Sequence, residues 1–212
     1  MSKQFSFSLA LAATATATAA ALLTFGASAV QAQEGPWLVR VRAVNLDSAN
    51  KDTTGLGLAI NNKTMPELDI SYFFTPNIAA ELVLTYPQKH TLSSNGTAIG
   101  TLKHLPPILS AQYHFNPTGT VRPYVGAGVN YTNFSSVHFD PAVDAALKPS
   151  IKHNSVGLSL QIGADIELAK NLYLNVDVKK VRLGTTVYAS GAKVGTFKVD
   201  PVLASVGLGM RF

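Results

Sequence analysis

From Val202 to Phe212 every second side chain is apolar: Val202, Ala204, Val206, Leu208, Met210 and Phe212. The residues between them, Leu203, Ser205, Gly207, Gly209 and Arg211, are mostly small or polar. A period of two predicts a β-strand, because successive side chains leave opposite faces of the ribbon. The same alternation recurs upstream. Trp37–Leu46 sets Trp37, Val39, Val41 and Ala43 against Arg40 and Arg42, and Pro66–Phe74 sets Leu68, Ile70, Tyr72 and Phe74 against Asp69, Ser71 and Phe73. Ile78–Tyr86 and Ile108–Phe115 follow, then a row from Val121 to Tyr131. Val156–Leu168 and Leu172–Val178 complete eight predicted strands with the terminal one.

The connections alternate in length. Short turns are expected near residues 75, 117 and 170, each rich in Asn, Pro or Gly. Long loops are expected over about 47–65, 87–106, 132–154 and 183–198, with a short helix at Pro141–Leu147 in the third. An even number of strands, short turns at one end and long loops at the other predict an all-β fold: an eight-stranded antiparallel transmembrane β-barrel of the outer membrane. Closure also removes the open edge that a strand ending on Phe212 would otherwise present.

Charge sharpens this picture. Arg40, Arg42, Asp69, Glu81, Arg122, Asp165, Glu167, Asp177, Lys179 and Arg211 share one parity, and the opposite rows carry no charge within the strands. Arg or Lys on the lipid face at mid-depth costs about 2–4 kcal/mol, so the charged rows belong inside. Five acids and five bases there form either an ion pathway or a salt-bridge network that plugs a narrow lumen. A soluble lipocalin-like barrel would alternate equally well, with its apolar row inward. Aromatic residues at the strand ends (Phe74, Tyr86, Tyr113, Phe115, Tyr131) favour the membrane.

Composition narrows the classes. The chain has 212 residues, 47% hydrophobic and 14% charged, and no cysteine, which excludes disulfides and thiol chemistry. A net charge of +5 without a basic run interleaved with aromatics does not suggest nucleic acid. The run from Leu9 to Val30 follows Lys3 and ends in small residues, as a secretory signal peptide does. Cleavage is expected after Ala29 or after Ala32. The second divides the chain into a signal peptide, 1–32, and a barrel, 33–212. Histidines 90, 104, 114, 138 and 153 are scattered, no G-x-S-x-G elbow occurs, and Gly126-Ala127-Gly128 precedes no helix. No enzyme activity, metal or cofactor is therefore expected, and the glycines are taken as space-savers on the lumen face.

Several strings carry a family resemblance: GPWLVRVRA (Gly35–Ala43), LDISYFFTPNIAAELVLTYPQKH (Leu68–His90), IGTLKHLPPILSAQYHF (Ile99–Phe115), RPYVGAGVNYTNF (Arg122–Phe134) and GLGMRF (Gly207–Phe212). Across the mature chain the sequence resembles the outer membrane protein W (OmpW)/AlkL family. The resemblance implies a narrow, largely apolar channel that takes up small hydrophobic molecules and releases them sideways into the membrane. It places the constriction at Val83, beside Glu81, and sets Lys179 where some members carry a bulky aromatic. Lys179 is then expected to pair with Glu81 or Asp177. Leu56, Leu58, Ile60 and Met65, in the first long loop, are candidates for an apolar path or for simple packing over the mouth.

Two readings of function stand at this stage: a passive conduit for hydrophobic solutes, or a structural envelope protein that serves as a docking site for phage or toxins. Expected partners are outer-membrane lipid, small hydrophobic solutes and the barrel-assembly machinery, with Phe212 as the insertion signal. A lateral exit is expected where Tyr86, Pro87, Leu105, Pro106 and Pro107 lie, because proline cannot donate to a ladder. Leu102 and Ile108 are expected to face acyl chains beside it.

Overall fold

The computed structural model describes residues 35–212; the expected signal peptide and its expected cleavage sites lie outside the described residues. Chain order runs β1 (Trp37–Asp47), β2 (Lys51–Asp52), β3 (Leu58–Ile60), β4 (Lys63–Phe73), β5 (Ile78–Leu84), β6 (Gln88–Ser94), β7 (Thr97–Leu105) and β8 (Ile108–His114). It continues through β9 (Val121–Phe139), α1 (Pro141–Leu147), β10 (Pro149–Ile151), β11 (Asn154–Ala169), β12 (Leu172–Val181), β13 (Gly184–Ala189), β14 (Ala192–Lys198) and β15 (Val202–Arg211).

Eight of these strands close on themselves in the order β1-β4-β5-β8-β9-β11-β12-β15, each antiparallel to its neighbours, with β15 returning to β1. The register matches the alternation. Arg40 lies opposite Asp69 on one side and Gly209 on the other, so charged and small residues share the inner face. Arg40, Arg42, Asp69, Glu81 and Lys179 are buried, while Val156, Leu158, Leu160 and Ile162 are more than half exposed. That partition rejects the lipocalin-like alternative, in which the apolar row would point inward. An exposed apolar row from Val156 to Leu168 on a tilted strand spans roughly 25–30 Å, the height of a hydrocarbon core. Among the described residues no helix is long and apolar enough to cross a membrane, so crossing falls to the strands.

Aromatic side chains mark both ends of the band. Trp37 meets Tyr72 edge-on at 4.8 Å, Tyr72 meets Phe74 at 5.1 Å, and Tyr113 meets Phe115 at 5.1 Å, all near the short turns. Tyr86 and Tyr131 are exposed at the opposite end. Their amphipathic rings suit the interface between lipid and water.

The long connections differ from the expected loops: most of their length is strand. β9 is 19 residues long, and its last part, from Asn133 to Phe139, runs on past the β8 pairing to meet β7. The β6–β7 hairpin pairs with that extension on one side and with β3 on the other, and β10, β13, β14 and β2 form a second small sheet. Alternation inside these segments is short and interrupted by Gly, Asn and Ser, which hides it from a period-two search. The extension is packed around apolar side chains that include Leu58, Leu92, Leu102, Phe134, Val187 and Phe197. The expected helix is present as α1, with none of its side chains buried.

Candidate functional site

The lumen is layered. Near the short turns Leu38, Phe73, Ala79 and Tyr173 form a small apolar cluster. Around it Arg122 pairs with Glu167 at 2.9 Å and stacks over Tyr173, and Arg211 lies over Phe73 and donates from Nε to the Gly35 carbonyl at 2.8 Å.

Mid-barrel side chains form a connected ionic network. The Arg40 guanidinium grips Asp165 with two bonds, Nε to Oδ1 at 2.9 Å and Nη2 to Oδ2 at 2.6 Å, and Nη1 reaches Asp69 at 3.0 Å and Ser71 at 2.9 Å. Arg42 lies 2.8 Å from the other Asp69 oxygen and pairs with Glu67. Lys179 donates to Asp177 at 2.7 Å and lies 3.7 Å from Glu81. Tyr124 joins the two halves: its hydroxyl donates to Asp177 at 2.9 Å and accepts from Asn175 at 3.1 Å. The ring fits because Gly163 is opposite; a Cβ there would sit 2.4 Å from the hydroxyl. Gly126 likewise leaves room for Gln161. Fork-shaped, bidentate pairing of this kind holds a buried guanidinium in one geometry, so the network fills the lumen as a plug.

Above the plug the lumen turns apolar. Val83, Ile108, Met65, Val44, Leu46 and Val181 are buried in a single cluster continuous with the core of the extension. Val83 lies opposite Ile108 and Asp69 on its neighbouring strands, at the boundary between the two layers. Met65 belongs to β4, and Leu58 and Ile60 to β3, so these are strand residues and not loop residues. A cavity of about 50 Å³ opens higher up, its lining wholly apolar where exposed and including Leu56, Leu58, Leu92, Leu102 and Leu147.

The wall is interrupted at this level. The β5–β8 ladder ends at Val83 and Ile108, and pairing resumes as the β6–β7 hairpin at Gln88 and His104. Between these rungs lie Leu84–Pro87 on one side and Leu105–Pro107 on the other, without ladder pairing to each other. Prolines 87, 106 and 107 fall inside the interruption. Tyr86 is exposed there, but Leu102 and Ile108 point inward and are buried, which corrects the expectation that they face acyl chains. Their position follows from the inward parity of Ser110 and His104 on the same strands.

Some inner residues escaped the sequence reading. Glu67 is two positions before Asp69 and shares its parity, but an expected strand start at Pro66 placed it at the frayed end. Gln88, His90 and Leu92 are an inward alternate row, concealed in the sequence because the polar stretch around them reads as a loop. Among the described residues no three metal-ligating side chains cluster.

The model of the OmpW family matches residues 30–212. An uncharacterised outer-membrane protein, y4mB of Sinorhizobium fredii, is 38% identical over 193 residues, 86% of this chain and 82% of its own. Outer membrane protein W of Vibrio cholerae is 34% identical over 195 residues, 85% of this chain and 90% of its own. The crystal structure of the outer membrane protein OprG from Pseudomonas aeruginosa superposes with a TM-score of 0.74 at 24% identity, covering 86% of this chain and 99% of that one, a likeness of fold.

Proposed function

Because the chain belongs to the OmpW family of outer-membrane β-barrels, we propose that it is a narrow conduit for small hydrophobic molecules with a lateral outlet into the membrane. The observation that carries this reading is the coincidence of a blocked axis and a broken wall. A solute entering the apolar column meets the Arg40–Asp165 and Lys179–Asp177 pairs at its floor. An apolar molecule gains nothing by displacing such pairs, and separating a buried pair by losing one partner costs about 3–5 kcal/mol. Sideways, at the level of Val83, the strands part between Leu84–Pro87 and Leu105–Pro107 and acyl chains lie outside. Moving apolar surface along this route keeps it out of water, at roughly 25 cal/mol per Å².

The test is uptake. Cells bearing the protein should take up alkane-like or aromatic solutes faster than cells lacking it. Equal entry would leave the structural or docking role as the better reading.

A further inference from the structure

Three side chains between the apolar cavity and the wall interruption have no use in a purely hydrophobic passage. Gln88, His90 and His104 lie on the inner face of the β6–β7 hairpin, and all three are buried. Gln88 sits directly across from His104, and His90 across from Leu102, which lines the cavity together with Leu92.

Their hydrogen-bonding capacity is largely unspent. Gln88 donates from Nε2 to the Tyr86 carbonyl at 3.0 Å, but its Oε1 has no protein partner. His90 Nδ1 lies 3.0 Å from the Asn61 carbonyl, so it carries the proton and leaves Nε2 as a free acceptor. Neither ring nitrogen of His104 finds a partner. The two imidazoles stack with centroids 4.6 Å apart and planes 10° from parallel. In that arrangement the in-plane N–H of one ring cannot point at the in-plane lone pair of the other, so stacking does not satisfy them. Buried and unpaired, such groups carry a desolvation cost that a matching ligand would recover.

The free set is three acceptors and two donors: Gln88 Oε1, His90 Nε2 and one His104 nitrogen accept, while the other His104 N–H and the second Gln88 Nε2–H donate. A carboxylate offers only acceptors and would face three lone pairs. A ketone offers only an acceptor. A hydroxyl both donates and accepts. We propose that Gln88, His90 and His104 form a hydroxyl-binding rung, so that the molecules this conduit handles best are hydrophobic alcohols or phenols, the apolar part lying in the cavity beside Leu92 and Leu102. This rests on the conduit reading and narrows its substrate class. Two residues along a strand are about 7 Å, so a short alkyl chain or one ring reaches from His90 past Leu92. Because Gln88 and His104 form the first pair above the interruption, the hydroxyl is held at the upper lip of the outlet. Burial, with His90 and Lys63 nearby, holds His104 down at about 3, so the rung is neutral at ordinary pH and suits an uncharged head group.

The experiment uses the full protein in lipid nanodiscs, with imidazole nitrogen NMR during titration by 1-octanol and, separately, octane. Octanol should move the His104 and His90 resonances; octane should leave them in place. In the uptake assay, Gln88→Leu with His104→Phe, checked for folding by circular dichroism, should lower the ratio of octanol to octane entry about tenfold, the worth of one well-made hydrogen bond. If octane enters faster with the protein but octanol leaves both histidines unmoved, the rung is wrong and the conduit stands. If octanol moves them while neither solute enters faster, the rung stands and the conduit is wrong. The wild-type titration decides the matter even where the double variant does not fold.

Discussion

Trp37 and Phe212 exchange backbone hydrogen bonds: the Phe212 N–H donates to the Trp37 carbonyl at 2.8 Å, and the Trp37 N–H to the Phe212 carbonyl at 3.3 Å. This is the periplasmic end of the β1–β15 seam that closes the barrel. Arg211, by contrast, contributes a side chain to the inner rim. A protein lacking Phe212 should therefore insert into the outer membrane far less than Arg211→Ala. The inserted fraction of each measures this, and equal insertion would dismiss Phe212 as an assembly signal.

Lys179→Met should be strongly destabilising. It leaves Asp177, 2.7 Å away, and Glu81, 3.7 Å away, short of a cation in a buried layer. A loss of about 3–5 kcal/mol is expected in denaturant unfolding of the detergent-solubilised barrel. Adding Glu81→Gln should restore part of it, because the second change removes a charge that the first left uncompensated. Additive losses would mean that Lys179 and Glu81 do not interact.

Ion conduction should be small. Arg40, Arg42, Asp69, Asp165, Asp177 and Lys179 hold one another across the mid-barrel. Planar-bilayer recordings should lack the large steady currents of a wide porin. Such currents would show that the network opens.

Pinning the wall should stop uptake. Cysteines introduced at Tyr86 and Leu105 flank the interruption between the Val83–Ile108 and Gln88–His104 rungs. Once the bridge is shown to form, entry of a hydrophobic solute should fall and recover with reductant. Unchanged entry through the bridged protein would place the outlet elsewhere.

Acid should loosen the β6–β7 hairpin, which stands beyond the membrane band. His104 is held down at about 3 by burial, then by His90 on β6 and Lys63 on β4. In the unfolded chain it titrates at about 6.5. Its folded value is the lower one, so the unfolded state gains the proton first. Stability is full above about 6.5 and declines as the pH falls toward 3, by up to ~1.4 kcal/mol per pH unit. Amide exchange in the hairpin, corrected for intrinsic rates, should report about 2 kcal/mol easier opening at pH 5 than at pH 7. His104→Phe should flatten most of that dependence. If exchange in the wild type is independent of pH, His104 is not buried neutral.

The eight barrel strands and the inward side of Arg40, Asp69 and Asp177 were legible in the sequence because a strand has a period of two. One charge on a row assigns the face of every other residue on it. Family membership was equally legible, in strings such as LDISYFFTPNIAAELVLTYP, since these preserve residue order and not geometry. The partners were not. Arg40 and Asp165 are 125 positions apart, and only closure of the sheet brings β1 within reach of β11 across the lumen. The upper storey was hidden for a related reason. Its strands borrow their pairing from an overextended β9, so short polar stretches with little periodicity of their own become strands once that edge exists. Gln88 and His104 look like unremarkable loop polars until the hairpin turns both inward. A side chain's chemistry is written in its type, but whether it is solvated or buried without a partner depends on what packs against it, and here that was decided by contacts distant in the chain.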